Sequence, residues 1–135
     1  MQDHTALVLH EGNNILFIQR ASTKNILPNR WAFPSGTVER GEAPAMTVVR
    51  EAREELGIDV AIEKVFAVFE IHEQDVLLHY FLCTSAKTRA IILDPKEIQD
   101  MKWRTFQEFF NTHSDEQIGH GLRYLRRHPE VWEGM

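Results

Sequence analysis

The 135-residue chain has one cysteine, Cys83, no surplus of basic residues and no apolar run of bilayer length. Each shortage excludes something. A single cysteine can form neither an intrachain disulfide nor a cysteine zinc site. Its place in the apolar run at 76–83 marks Cys83 as a buried core thiol rather than a nucleophile. Fifteen lysines and arginines stand against twenty aspartates and glutamates, a formal net charge of −5. That balance argues against extended nucleic-acid binding, which calls for a basic face. A small polyphosphate could still be held by a local basic cluster and a metal. The opening Met1-Gln2-Asp3-His4-Thr5 lacks the basic and apolar regions of a secretory signal. No stretch approaches the ~20 apolar residues of a membrane span, so a soluble cytoplasmic protein is expected. There is no repeat, low-complexity tract or linker, and the length suits one domain over 1–135.

What is present is a succession of strand and helix signals. Residues 5–10 and 15–19 read as two strands of a hairpin, joined by the turn-forming Glu11-Gly12-Asn13-Asn14. A polar loop over 21–30 leads to Trp31-Ala32-Phe33-Pro34, and 35–42, with two glycines, reads as a second loop. The clearest helix covers 43–56, with Pro44 suited to its first position and Gly57 to its stop. Residues 60–71 and 76–84 are rich in β-branched and aromatic side chains and read as long strands joined through Glu73-Gln74-Asp75. A last short strand is expected at 101–104. Two capping boxes, Thr105 to Glu108 and Ser114 to Gln117, announce helices, the second running towards His128 and stopping before Pro129. Strands around one helix with a helical C-terminal end imply an α/β or α+β sandwich, too irregular in order for a doubly wound sheet.

At 100° per residue, Ala45, Val49, Ala52 and Leu56 fall on one side of the 43–56 helix and are expected to face the core. Glu51, Glu54 and Glu55 share another arc, about 100° wide. Carboxylates so close repel, and the Glu51 and Glu55 pair at i,i+4 is directly destabilising. A bound cation would compensate, and hard oxygen ligands suit Mg²⁺ or Mn²⁺. Arg50, beside the arc, can hold one carboxylate by a bidentate pair. A plain solvated helix face is the alternative for this short run taken alone.

The wider spacing decides between them. Gly36, Glu42, Arg50, Glu51, Glu54, Glu55 and Gly57 stand as Gly-x5-Glu-x7-Arg-Glu-Ala-x-Glu-Glu-x-Gly-Ile, ending on Ile58. Seven fixed identities would coincide by chance in roughly one window in 10⁸ or fewer. This stretch resembles the Nudix box at every defining position. The resemblance implies an α/β (α+β) fold, the family's α/β/α sandwich around a mixed central sheet, and metal-dependent hydrolysis of a diphosphate linkage. It makes Glu54 and Glu55 principal metal ligands, Glu51 a further or water-mediated one, and the Ser35 carbonyl, just before the box glycine, another. Several relatives carry glycine where this chain has Ser35. Glu97, in Asp94-Pro95-Lys96-Glu97-Ile98 ahead of Trp103, matches a later acidic residue that binds metal or acts as base; an exposed loop carboxylate is its other reading. Glu42 and Arg50 are expected to brace the loop and helix at the catalytic centre. Which glutamate takes the proton of the attacking water differs among family members and stays open.

For the substrate, Arg20, Lys24 and Arg30 are the candidate phosphate contacts, each with a solvated surface charge as its plainer reading. Trp31, Phe33, Phe69, Phe81 and Trp103 could stack on a base but are expected chiefly in the core. His72 and His79 flank a turn and are weighed as substrate contacts or as partly exposed strand histidines. The chain lacks the proline-rich stretch seen after the box in NADH pyrophosphatases and the downstream proline of many ADP-ribose hydrolases. It resembles by size the MutT-like group, implying a nucleotide partner and conversion of a nucleoside triphosphate to monophosphate and pyrophosphate. Dinucleoside polyphosphates, nucleotide sugars and capped RNA are the alternatives, and a non-catalytic nucleotide sensor is an alternative of another class. Isopentenyl diphosphate isomerase shares the fold, but uses a cysteine ahead of the box, whereas Cys83 follows it.

Overall fold

Strand β1 (Gln2–Glu11) turns through Gly12, at φ 60°, into β2 (Asn14–Arg20), yet only His10 with Ile15 and Glu11 with Asn14 pair across this hairpin. Beyond the tip the two strands part, and residues 31–37 occupy both freed edges. Strand β3 (Trp31–Ala32) pairs with β2, and after Phe33-Pro34 the chain crosses to β1, where β4 (Ser35–Thr37) pairs with His4 to Ala6. Pro34 has no N–H to leave unpaired at the crossing, and its carbonyl accepts the Leu7 amide at 2.8 Å. Residues 35–37, expected as loop, are therefore strand. The edge that β2 leaves open on β1 overrides their weak local preference. The computed structural model describes residues 1–85, 89, 90, 92 and 94–135.

On its other edge β1 pairs in parallel with β6 (Val76–Thr84), and β5 (Ala61–Ile71) adds antiparallel outside β6. Strand β7 (Ile98–Arg104) lies antiparallel to β2 and starts three residues earlier than expected, because Ile98 is buried and pairs opposite Arg20. The sheet is thus mixed.

Alternation along β1 and β2 divides the core. Leu7, Leu9, Leu16 and Ile18 meet helix α1 (Pro44–Leu56) on one face. Ala6, Val8, Ile15 and Phe17 meet the C-terminal segments on the other, including α2 (Phe106–Thr112) and α3 (His120–Arg127). This is the expected α/β/α sandwich. Phe17 stacks on Phe109 at 3.9 Å, and Trp31, Phe33 and Phe81 are buried, so these aromatics serve chiefly as packing. Cys83 is buried, and burial pushes its thiol up to about 12. Among the described residues no helix is long and apolar enough to cross a membrane.

Two further expectations need correction. Helix α1 buries Thr47, Val48, Ala52 and Leu56, while Ala45 is exposed and Val49 only half-buried. Its apolar residues offer two overlapping stripes. The stripe through Val48 is the buried one, and it also brings the Thr47 hydroxyl within 2.5 Å of Glu42. Burying Val48 and Leu56 stabilises the fold by roughly 1.5–3 kcal/mol each. The Ser114 capping box forms, but it opens only one 3-10 turn at Asp115–Gln117. Ile118, fully buried, returns to extended backbone and bridges Trp31, while the Gly119 amide donates to the Trp31 carbonyl at 2.9 Å. Helix α3 therefore starts only at His120, and it stops before Pro129 as expected.

Candidate active site

The site grows from the start of α1. Pro44 occupies the first turn, and no side chain caps the helix at Ala43. Glu42 instead holds the entry segment to the helix: it accepts the Thr47 hydroxyl, and Arg50 Nε and Nη2 grip its two oxygens at 2.8 and 3.0 Å. The hydrogen bonds from Arg50, then from Thr47, hold the Glu42 carboxyl down to about 2. Arg50 also donates from Nη1 to Glu51 at 2.9 Å and Glu54 at 3.2 Å, and from Nη2 to the Thr37 carbonyl at 3.3 Å. One guanidinium thus ties β4, the 38–42 segment and the carboxylate face of α1 together. Gly57, at φ 65°, closes the helix by donating to the carbonyls of Ala52 and Arg53.

Gly36 is required by close approach rather than by backbone freedom. A Cβ built there would lie 2.3 Å from Glu51 Cγ and 2.7 Å from Oε1. Glu51 is pressed between this strand and Arg50, with its side chain 15% exposed. The Glu55 side chain follows one helical turn later on the same face of α1. Burial foremost, then the neighbouring Glu51 carboxyl and the charges of Glu97 and Asp94, push the Glu55 carboxyl well above the ordinary carboxylate range. Glu54 stays exposed, its contact being the Arg50 ion pair.

Glu97 reaches this neighbourhood through sheet pairing. The Ala21 amide donates to its carbonyl at 2.9 Å, just past the bulge between Gln19 and Arg20. Its Oε2 accepts Lys24 Nζ at 2.6 Å. Asp94, three residues earlier, was not singled out from sequence; its visible signal is another carboxylate in the same turn. Among the described residues no three acidic, histidine or cysteine side chains already gather around one metal position. The donor set nevertheless fits a hard divalent ion: it is all oxygen, and a cation would relieve the crowding that raises the Glu55 carboxyl.

The candidate cations separate. Arg20 donates to the Ile26 carbonyl at 2.9 and 3.1 Å, pinning the 21–30 loop. It lines two clefts, one with Lys24, Lys96 and Glu97, the other with His4, Phe33, Ser35, Gln74 and His120. Ser35, which lines the second cleft, adjoins Gly36, the residue packed against Glu51. Arg30 lines neither and donates to the Ile118 carbonyl at 3.3 Å. His72 is exposed near Glu70, and His79 pairs with Asp3 at 2.9 Å; neither lines these clefts. The histidines that do are His4 and His120. His4 owes its place to the β1 and β4 pairing, where its Nε2 lies 3.2 Å from the Thr37 hydroxyl. His120 owes its place to the restart of α3, which no local pattern announces.

Residues 2–125 match the model of the NUDIX domain. The chain is similar to Nudix hydrolase 5 of Arabidopsis thaliana, 32% identical over 110 residues, covering 78% of this chain and 36% of that protein. It is also similar to the 8-oxo-dGTP diphosphatase of Escherichia coli strain K12, 41% identical over 51 residues, 38% of this chain and 40% of that protein. The chain thus spans about two fifths or less of the length of these curated relatives. Among solved structures, the MutT protein from Methanosarcina mazei Go1 shares the fold, with a TM-score of 0.76 over 98% of this chain and 95% of that one at 14% identity.

Proposed function

Because the chain belongs to the Nudix family, we propose that it is a hydrolase of nucleoside diphosphate-X compounds, dependent on Mg²⁺ or Mn²⁺, whose substrate is a nucleoside triphosphate cleaved to monophosphate and pyrophosphate. The observation that carries this reading is the gathering of the Glu51, Glu54 and Glu55 carboxylates on one face of α1, with Arg50 gripping the first two; the charges of Glu97 and Asp94 also bear on Glu55. So much carboxylate in one place is unfavourable without a cation. The residues that would hold the ion are Glu51, Glu54, Glu55 and Glu97 with the Ser35 carbonyl. When bound, the ion supplies Lewis acidity and lowers the pKa of the attacking water.

This chain's own groups do the rest. Gly36 and Arg50 fix Glu51 against β4, so the carboxylates need little rearrangement to act. Water attacks phosphorus in line, its proton passes to a carboxylate of the cluster, and the bond to the bridging oxygen breaks as pyrophosphate leaves. Arg20, Lys24 and Lys96 line a cleft beside Glu97 suited to phosphate oxygens. The likeness to an 8-oxo-dGTP diphosphatase supports a triphosphate substrate.

A panel of nucleoside triphosphates, dinucleoside polyphosphates, nucleotide sugars and capped RNA, assayed with and without Mg²⁺, tests the proposal. Metal-dependent release of pyrophosphate from a triphosphate is expected. Turnover confined to other members of the panel would reassign the substrate, and no metal-dependent turnover at all would overturn the enzyme reading.

A further inference from the structure

His120, at the start of α3, lines the cleft of His4, Phe33, Ser35 and Gln74. Among the described residues, His120 Nδ1 is the buried side-chain nitrogen or oxygen without a hydrogen bond. It lies 3.4 Å from Glu73 Oε2, and the other oxygen of Glu73 accepts the Tyr124 hydroxyl at 3.2 Å. Glu73 therefore links the turn at His72–Gln74 to two positions, one helical turn apart, on α3.

This contact decides the chemistry of the ring. A lone pair on Nδ1 would face a carboxylate oxygen and be repelled, whereas an N–H there is attracted. Burial foremost, reinforced by the Arg123, Arg30 and Arg127 charges against the opposing pull of Glu73, lowers the pKa of the imidazole. A neutral ring with its proton on Nδ1 has a bare Nε2, a pure acceptor. Such an acceptor repels phosphate oxygens, which also present lone pairs. It suits an N–H or amino group. The cleft wall agrees: Ala6, Leu27, Phe33 and Leu78 make much of it apolar, with a few polar groups converging, the composition of a pocket for a flat organic ring rather than for phosphate. The cationic cleft is a separate one that Arg20 also lines.

We propose that His120 is a specificity-determining residue that accepts a hydrogen bond at Nε2 from a ring N–H or exocyclic amino group of a nucleobase, in the tautomer set by Glu73. The inference rests on reading the site as a nucleotide site. Gln74, carried on the turn that Glu73 anchors, supplies one donor and one acceptor group beside it. Loss of the Glu73 carboxylate should therefore disturb base recognition without touching the carboxylates of α1.

The test is ¹⁵N-histidine NMR of the metal-free protein, titrated with each of the four ribonucleoside monophosphates. Binding read this way does not require hydrolysis, so it is separable from the proposed activity. The expected result is a neutral His120 with Nε2 unprotonated, whose Nε2 resonance moves on binding at least one base, while ribose 5-phosphate leaves it in place. Glu73→Gln should allow both tautomers. In turnover, His120→Ala should raise KM for the preferred nucleotide about tenfold, as expected for losing one buried hydrogen bond, with kcat little changed and discrimination among bases flattened. A proton on Nε2 in the free protein, or an Nε2 resonance unmoved by all four monophosphates, overturns the inference even if hydrolysis is found. Lack of hydrolysis together with a shifted Nε2 resonance would leave it standing and overturn only the enzyme reading.

Discussion

On the α1 side of the site, the box residues come from one stretch, Gly36 to Ile58, and are joined by a dense polar network centred on Arg50. On the facing side, the lining comes from the start of β1, the end of β2, the 21–30 loop, the turn before β6 and the start of α3, linked by sparse contacts such as Glu73 with His120. The first wall is a local device whose parts can be inherited together. The second is assembled only by the completed fold, and each of its segments can change alone. On the proposed reading α1 carries the chemistry and the facing wall the recognition, so substitutions on the two walls should have different kinetic signatures.

The largest effects belong to the α1 wall. Glu55→Gln and Glu54→Gln should each lower kcat on the order of 10³-fold, the scale of losing a preorganised electrostatic group, with an unchanged circular dichroism spectrum. Near-normal turnover in both would remove α1 from the chemistry. Next comes Gly36→Ala: its methyl must displace Glu51, and misplacing a reacting group costs about 10²-fold in kcat. Stopped-flow turnover would show the effect. A purely KM change would mean that Gly36 serves binding instead.

How these walls were legible follows from their construction. Pro44, Gly57 and the glutamate spacing are local signals, so α1 and its carboxylates could be read before folding. Its buried stripe could not, since Val48 and Val49 are equally apolar and tertiary packing chose between them. Ser35-Gly36-Thr37 has little strand character, and its strand exists because β1 has an open edge 30 residues away. Lys24 and Glu97 meet across 73 residues, and His4 and His120 share a cleft although separated by most of the chain. No local pattern encodes such meetings.

A smaller effect isolates the Glu42 brace. Its folded pKa is depressed to about 2, so its stabilisation is fully present above the unfolded value near 4.3 and is lost as pH falls from there through about 2. Urea denaturation of the wild type and Glu42→Gln at several pH values should show a gap that is widest near neutrality and shrinks below pH 4. A gap independent of pH would contradict a charged brace. Smaller again, Lys24→Ala should raise KM several-fold, while stability shifts by only about 0–1 kcal/mol for a part-exposed pair. A kcat loss without a KM change would move Lys24 from recognition to chemistry.

The proposed divalent-ion site for diphosphate cleavage is the half-buried pair Glu51 and Glu55. It is tested most directly by following nucleoside triphosphate hydrolysis with ³¹P NMR across a Mg²⁺ titration, for the wild type and Glu55→Gln side by side. Pyrophosphate and monophosphate are the expected products, with no turnover without the metal and near-silence of the variant at every Mg²⁺ concentration. Wild-type turnover in chelator, or a variant as active as the wild type at saturating Mg²⁺, would contradict it.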